Sequence, residues 1–170
     1  MPRFETLKAF GFSPISTAAE ANLALTSKAD FMDASLQDRN KAAVVRFNKR
    51  VIEAGDESAL HELIAPGFVN RSAPPGMSSG ADGMWHTFNQ VLRPAFPDLV
   101  VHIEDQVAEG DKVVTRKTIR GTHLGPLMGI PATGKPVAIS VIDIVRLEDG
   151  RYAEHWGVNT LAAVVAQLRG

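Results

Sequence analysis

One carboxylate inside an apolar strand is the side chain of this 170-residue chain best suited to chemistry. Asp143 lies within the run VAISVIDIVRLE, residues 137–148. Burying an ionised carboxylate is costly unless the group is paired or kept neutral. One prediction is therefore a carboxyl with a raised pKa, which could exchange a proton near neutral pH. The alternative is a structural ion pair with an arginine of a neighbouring strand: Arg116, Arg120 or Arg146.

His155 follows Asp143 across a predicted hairpin whose turn is Asp149-Gly150. A two-residue turn places Asp143 opposite Trp156, whereas a three-residue turn places it opposite His155 on the same face. The second register would give a carboxylate–histidine pair, which is an arrangement suited to proton transfer. The sequence leaves both registers open.

A second histidine, His123, begins a loop over residues 121–136 that is rich in glycine and proline. It could reach into a pocket and exchange protons, or it could be an ordinary exposed loop residue. The other three histidines are expected to be structural: His61, His86 and His102.

Apolar side chains near the predicted pocket mouth form a candidate substrate-binding set, although most of them could equally belong to the core. They are Phe47, Phe68, Trp85, Leu124, Met128 and Trp156. Polar contacts could come from Asn70 and its neighbour Arg71. The chain lacks the HExxH, GxGxxG and GxxxxGK[ST] motifs, so neither a metal nor a nucleotide cofactor is expected.

Composition narrows the class of partner. The formal net charge is -1, from 18 basic and 19 acidic residues, so nothing favours nucleic acid or an anionic membrane surface. No apolar run approaches the ~20 residues of a membrane helix. The absence of cysteine excludes disulfides and thiolate zinc sites and suits a reducing compartment. We therefore expect a cytoplasmic protein that binds an apolar small molecule.

Two regions are expected along the chain. Residues 1–34 are predicted to be an N-terminal arm with a short helix over 17–25, and the arm could also act as a lid. Residues 35–170 are predicted to form one domain. Its first helix should begin at Ser35 in a capping box and end at Gly55, and Asp56 should cap a second helix that ends at Pro66.

From Leu99 the hydrophobic period changes to two, which indicates four long strands after the helices. Helices followed by an antiparallel meander predict an α+β domain, with helices packed on one face of a curved sheet. Such a sheet leaves an open mouth that could hold a ligand. Several strands carry apolar residues on both faces, so a second covered face is also expected.

Five stretches, residues 40–56, 60–70, 96–113, 121–137 and 142–156, resemble the SnoaL-like polyketide cyclases, also called ester cyclase-like proteins. That family belongs to the nuclear transport factor 2-like superfamily. The resemblance implies an α+β cone that dimerises through its open sheet face. It also implies ring closure by an intramolecular aldol reaction without metal or cofactor. Asp143 would take the role of the family's acid/base aspartate, with His123 or His155 as its histidine neighbour.

Two positions depart from the family pattern. Asn48 stands where many relatives have an aromatic residue, and Asn70-Arg71 replaces an acidic and histidine pair. These departures allow a substrate other than a polycyclic polyketide. Two further functions stay open on the same fold. One is an epoxide hydrolase or isomerase using Glu154 with an arginine, Arg120 or Arg146. The other is a non-catalytic module for small-molecule binding or dimerisation.

Overall fold

The first described element is a 30-residue helix, α1 (Ala18–Phe47). The computed structural model describes the backbone of residues 18–170 and the side chains of residue 30 and residues 32–170. The helix start predicted at Ser35 is wrong, because α1 runs through that position and the Ser35 hydroxyl accepts a bond from Arg39, 2.8 Å away. Half of the predicted arm, residues 1–17, lies outside the described residues. The division at residue 34 therefore stays a prediction.

Helical structure continues after α1 in a π-helical segment (Asn48–Glu53). Gly55 follows with φ of +67°, as the predicted left-handed stop requires. The predicted cap at Asp56 is confirmed, since its carboxylate accepts a 3.0 Å bond from the backbone of Ala59. The next elements are α2 (Glu57–Leu63), β1 (Ile64–Asn70), α3 (Ala81–Trp85) with its π-helical extension (His86–Leu92), and α4 (Arg93–Ala95).

Four long strands and a last helix complete the chain: β2 (Val100–Glu109), β3 (Lys112–Thr122), β4 (Pro136–Glu148), β5 (Arg151–Asn159) and α5 (Leu161–Arg169). The strand order is β1-β5-β4-β3-β2. β1 runs parallel to β5, and the other neighbours are antiparallel. The predicted α+β class with a curved, open sheet is confirmed.

The two faces of the sheet differ sharply. Along β4, odd-numbered residues from Val137 to Leu147 are buried, and the even-numbered ones are exposed or half-buried. The inner face joins the helical core, where the Phe47 and Tyr152 rings stack with centroids 4.3 Å apart. The outer face leaves several apolar side chains in solvent: Val100, Val107, Ile142, Ile144 and Val158.

Within the described part of the chain, no helix is long and apolar enough to cross a membrane.

Candidate active site

The β4–β5 hairpin decides which side chains approach Asp143. Glu148 pairs with Arg151, so the turn has two residues, as in the first of the two predicted registers. Asp149 and Gly150 both have positive φ, 50° and 73°, which is the conformation of a type I′ hairpin turn.

A β-bulge then shifts the pairing by one residue. Leu147 still pairs with Tyr152, but Arg146 pairs with Glu154, so Ala153 is the extra residue. Tyr152 and Ala153 are consequently both buried, although they are consecutive in the strand. Neither predicted register therefore holds beyond the bulge.

Asp143 lies opposite Gly157 in the resulting register. His155, two residues earlier in β5, shares this inner face, and its Nε2 is 3.0 Å from Oδ1 of Asp143. Gly157 makes room for the contact. A Cβ at that position would stand 2.9 Å from Asp143 Oδ1 and 3.0 Å from His155 Cε1. The carboxylate–histidine pair thus forms diagonally across a glycine.

Lys117 of β3 binds the other carboxylate oxygen of Asp143. Its ammonium donates to Oδ2, and the two side chains are only 5% and 9% exposed. The ammonium also donates to Oδ1 of Asn48, 2.8 Å away. The amide nitrogen of Asn48 in turn donates to the carbonyl of Val44 at 2.8 Å, which fixes the amide with its oxygen toward Lys117.

His155 is held on its other side by Asn70, the last residue of β1. Nδ1 of His155 lies 2.9 Å from Oδ1 of Asn70, and the same oxygen accepts a 3.0 Å bond from the backbone N–H of Ser72. Since Ser72 donates there, the amide oxygen must face both neighbours. Both ring nitrogens of His155 therefore face oxygen acceptors, and both contacts are hydrogen bonds only when each nitrogen carries a proton.

These contacts form one continuous polar chain, defined as Asn48, Lys117, Asp143, His155 and Asn70. Burial by itself raises the pKa of the Asp143 carboxyl, but Lys117 and His155 outweigh burial and hold it at about 2. The raised pKa predicted from the sequence is therefore wrong. At neutral pH Asp143 is an ionised hydrogen-bond acceptor. Sequence reasoning missed Lys117, although the alternation of β3 places it on the same face as the apolar Ile119.

The predicted arginine partners of Asp143 lie on the outer face instead. Arg116 and Arg120 are exposed, and Nε of Arg146 donates to Oε2 of Glu154 at 2.6 Å. Glu154 also accepts a 2.6 Å bond from Arg71. The acid and arginine set proposed for epoxide opening is thus on the side of the sheet opposite Asp143.

His123 is fully buried, in the loop after β3. Its Nδ1 is 3.0 Å from Oγ1 of Thr133, and its ring lies near Phe96. Its Nε2 has no hydrogen-bond partner among the described residues. His123 comes six residues after Lys117, which is about 20 Å along an extended chain. His123 therefore lies far from the contact between Lys117 and Asp143. The histidine that contacts Asp143 is His155.

The predicted substrate-binding set is dispersed. Phe47 belongs to the core, and Trp156 pairs in register with Ile144 on the outer face. Leu124 is exposed. The other three border separate surface clefts: Phe68, Trp85 and Met128. Asn70, which was predicted to supply polar contacts, belongs to the polar chain through its contact with His155. Among the described side chains, no three histidine or acidic groups are placed to hold a metal ion.

Known proteins are similar to this chain in fold and in sequence. A model of the SnoaL-like polyketide cyclase family matches residues 42–168. IdmH from Streptomyces antibioticus is 32% identical with a TM-score of 0.68, over 77% of this chain and 99% of its own. TsrD from Streptomyces laurentii is 30% identical, also at 0.68, over 78% and 96%. Aklanonic acid methyl ester cyclase DauD from Streptomyces sp. (strain C5) is 24% identical over 124 residues, 69% of this chain and 71% of DauD. Because the family model matches more than half of the chain and the α+β architecture agrees with these relatives, the chain belongs to the SnoaL-like polyketide cyclase family.

Proposed function

We propose that this protein is a cofactor-independent cyclase that closes a ring on a small polyketide-like carbonyl compound by an intramolecular aldol reaction. The observation that carries the proposal is the contact between the buried Asp143 carboxylate and the half-buried His155 ring, 3.0 Å apart and held at both ends by further polar side chains. The similarity to DauD, whose name describes a cyclase of a methyl ester, supports the same class of reaction.

Each side chain of the pair has one task. The Asp143 carboxylate accepts a proton from a carbon next to a carbonyl. The enolate carbon then attacks a second carbonyl of the same molecule and forms the new C–C bond. The oxygen of that carbonyl takes a proton from His155. Asp143 then loses its proton and His155 regains one by exchange with solvent, so the product is an isomer of the substrate and the protein is unchanged.

His155 is the more accessible member of the pair. Its side chain is 15% exposed, against 9% for Asp143. It also lies beside Asn70, at the end of β1 where the chain turns toward Ser72. We therefore place the reacting carbonyl oxygen next to the imidazole. Holding two ends of one flexible molecule together supplies part of the roughly 7–11 kcal/mol available to well-oriented reactions.

A non-catalytic binding module is the second candidate, and one observation favours it. The ion pair between Lys117 and Asp143 is a satisfied arrangement that could serve structure alone. In that case the fold would bind a small molecule without changing it.

The deciding experiment uses aklanonic acid methyl ester and a series of simpler 1,3-dicarbonyl esters. Chromatography with mass detection should find a product of unchanged mass and altered retention. Asp143→Asn should slow its formation by about 10²–10⁴-fold, the usual contribution of a general acid or base. Asp105→Asn, an exposed carboxylate of β2, is the matched control and should react like the wild type.

Two outcomes would contradict the enzymatic proposal. One is equal turnover by the wild type and a folded Asp143→Asn variant. The other is thermal stabilisation by these compounds without conversion of any of them, which would favour the binding module.

The proposal includes a cytoplasmic homodimer. The apolar side chains on the outer sheet face, including Ile142, Ile144 and Val158, support association of two copies there. The absence of cysteine suits a reducing compartment.

A further inference from the structure

Lys117 is an unusual residue for the inner face of a sheet. Its neighbours on that face of β3 include Val113 and Ile119, and its side chain is 5% exposed. A lysine is rarely buried without a partner, because desolvation disfavours its charge. Here the ammonium has two partners, the Asp143 carboxylate and the Asn48 amide oxygen.

Asn48 gives the ammonium a second acceptor beside Asp143. This asparagine is fully buried, at the start of the π-helical segment. Its amide nitrogen is committed to the Val44 carbonyl, so its oxygen can only face Lys117. A π-helical turn changes which carbonyls the helix backbone occupies, and such turns are frequent at functional sites.

We propose that Lys117, held by Asn48, is a positioning residue that keeps Asp143 ionised and thereby leaves the transferable proton on His155. The part of this inference that concerns catalysis rests on the proposed cyclase function. The part that concerns the charge of Asp143 does not.

The charges around Asp143 support this assignment. Lys117 approaches Oδ2 from β3, and His155 approaches Oδ1 from β5. Tyr152, also on β5, brings no charge, because burial raises the pKa of its phenol well above the ordinary value. Without Lys117, burial would favour a protonated carboxyl. A protonated Asp143 could donate to His155, and the ring would then need no proton on Nε2.

The first test measures the carboxyl of Asp143 directly. Carbon-13 NMR should find the wild-type group ionised down to the lowest pH at which the protein stays folded. In Lys117→Met the pKa of Asp143 should rise by about 1–3 units, the usual effect of one adjacent opposite charge. Lys112→Met removes an exposed lysine of the same strand and should leave the titration unchanged. An unchanged Asp143 titration in Lys117→Met would overturn the inference.

The second test uses the pH profile of ring closure. The acid limb of kcat/KM should move to higher pH in Lys117→Met by the same amount as the Asp143 titration. Lys117→Arg keeps the charge and should restore most of the profile. A loss of rate at every pH with an unmoved acid limb would mean that Lys117 is merely structural. Should Lys117→Met fail to fold, Lys117→Gln keeps a hydrogen-bonding head without the charge.

The two proposals fail separately. If no ring closure is found with any substrate, the cyclase proposal fails, and the NMR titration still decides what Lys117 does. If ring closure is found but the Asp143 titration does not respond to Lys117, the cyclase stands and this inference is wrong.

Discussion

Removing one member of the Lys117–Asp143 ion pair should cost more stability than removing both. Both side chains are buried, at 5% and 9% exposure. Taking away one charge leaves the other unpaired in a poorly solvated place, which typically costs about 3–5 kcal/mol. Replacing both charges with apolar groups of similar size leaves no such charge and is often neutral or stabilising.

The expected magnitudes follow from the remaining contacts. In Lys117→Met, Asp143 still accepts from His155, so the loss should lie near the lower limit, about 3 kcal/mol. In Asp143→Leu, the ammonium retains only the Asn48 oxygen as a described partner, and the loss should approach about 5 kcal/mol. The double variant should lose less than either single variant. The coupling energy should therefore exceed about 5 kcal/mol, above the roughly 3 kcal/mol upper range for neighbouring residues.

Urea unfolding at pH 7, followed by circular dichroism, measures the four free energies of this cycle. Lys112 and Asp111 provide a matched control, since they form an exposed pair, 3.7 Å apart, at the start of β3. Lys112→Met and Asp111→Leu should show almost no coupling, as exposed pairs usually do. If the two losses at Lys117 and Asp143 also add within about 0.5 kcal/mol, the buried pair is not the interaction described here.

Three further predictions follow from the same geometry. Gly157→Ala should slow ring closure beyond what any loss of stability explains, because its Cβ would stand 2.9 Å from Asp143 Oδ1 and displace His155. Full activity in this variant would contradict the assigned contact. The lowered pKa of Asp143, about 2 against 3.8, gives stability that is present above pH 4 and lost as the pH falls toward 2. Urea titrations across this window should show about 2 kcal/mol of extra loss in the wild type relative to a variant that lacks both Lys117 and Asp143 charges. Ile142→Asp should convert a homodimer to monomers in light scattering, and a wild type that is already monomeric at micromolar concentration would refute the proposed dimer face.

The strands were predictable because their alternation is simple. The period of two separates the buried and exposed faces of β4 residue by residue, and Asp149-Gly150 specifies its two-residue turn. The start of α1 was not predicted. Ser35 and Asp38 have the spacing of a capping box, but no glycine or proline interrupts the chain between Ala18 and Ala54. A helix already begun has no local reason to stop at such a pair.

The contacts of Asp143 could be predicted only in part. The bulge at Ala153 changes the register, and its one trace in the sequence is a pair of consecutive nonpolar residues, Tyr152 and Ala153. Lys117 left a clearer signal. It shares the parity of the apolar Ile119, whereas Arg116 has the opposite parity and faces solvent. A cation on the core face beside a strand with a buried carboxylate predicts an ion pair.

The charge of the polar chain limits the substrates that the proposed cyclase could use. A carboxylate whose pKa is about 2 is a weak base, so Asp143 can deprotonate only a comparatively acidic carbon. Carbons between two carbonyl groups meet this need, and isolated ketones do not. The Lys117 ammonium and the His155 ring both contact this carboxylate, and fixed positive and donor groups of this kind stabilise a developing enolate or alkoxide in a buried setting. We therefore expect 1,3-dicarbonyl compounds to react and matched monoketones to bind without reacting.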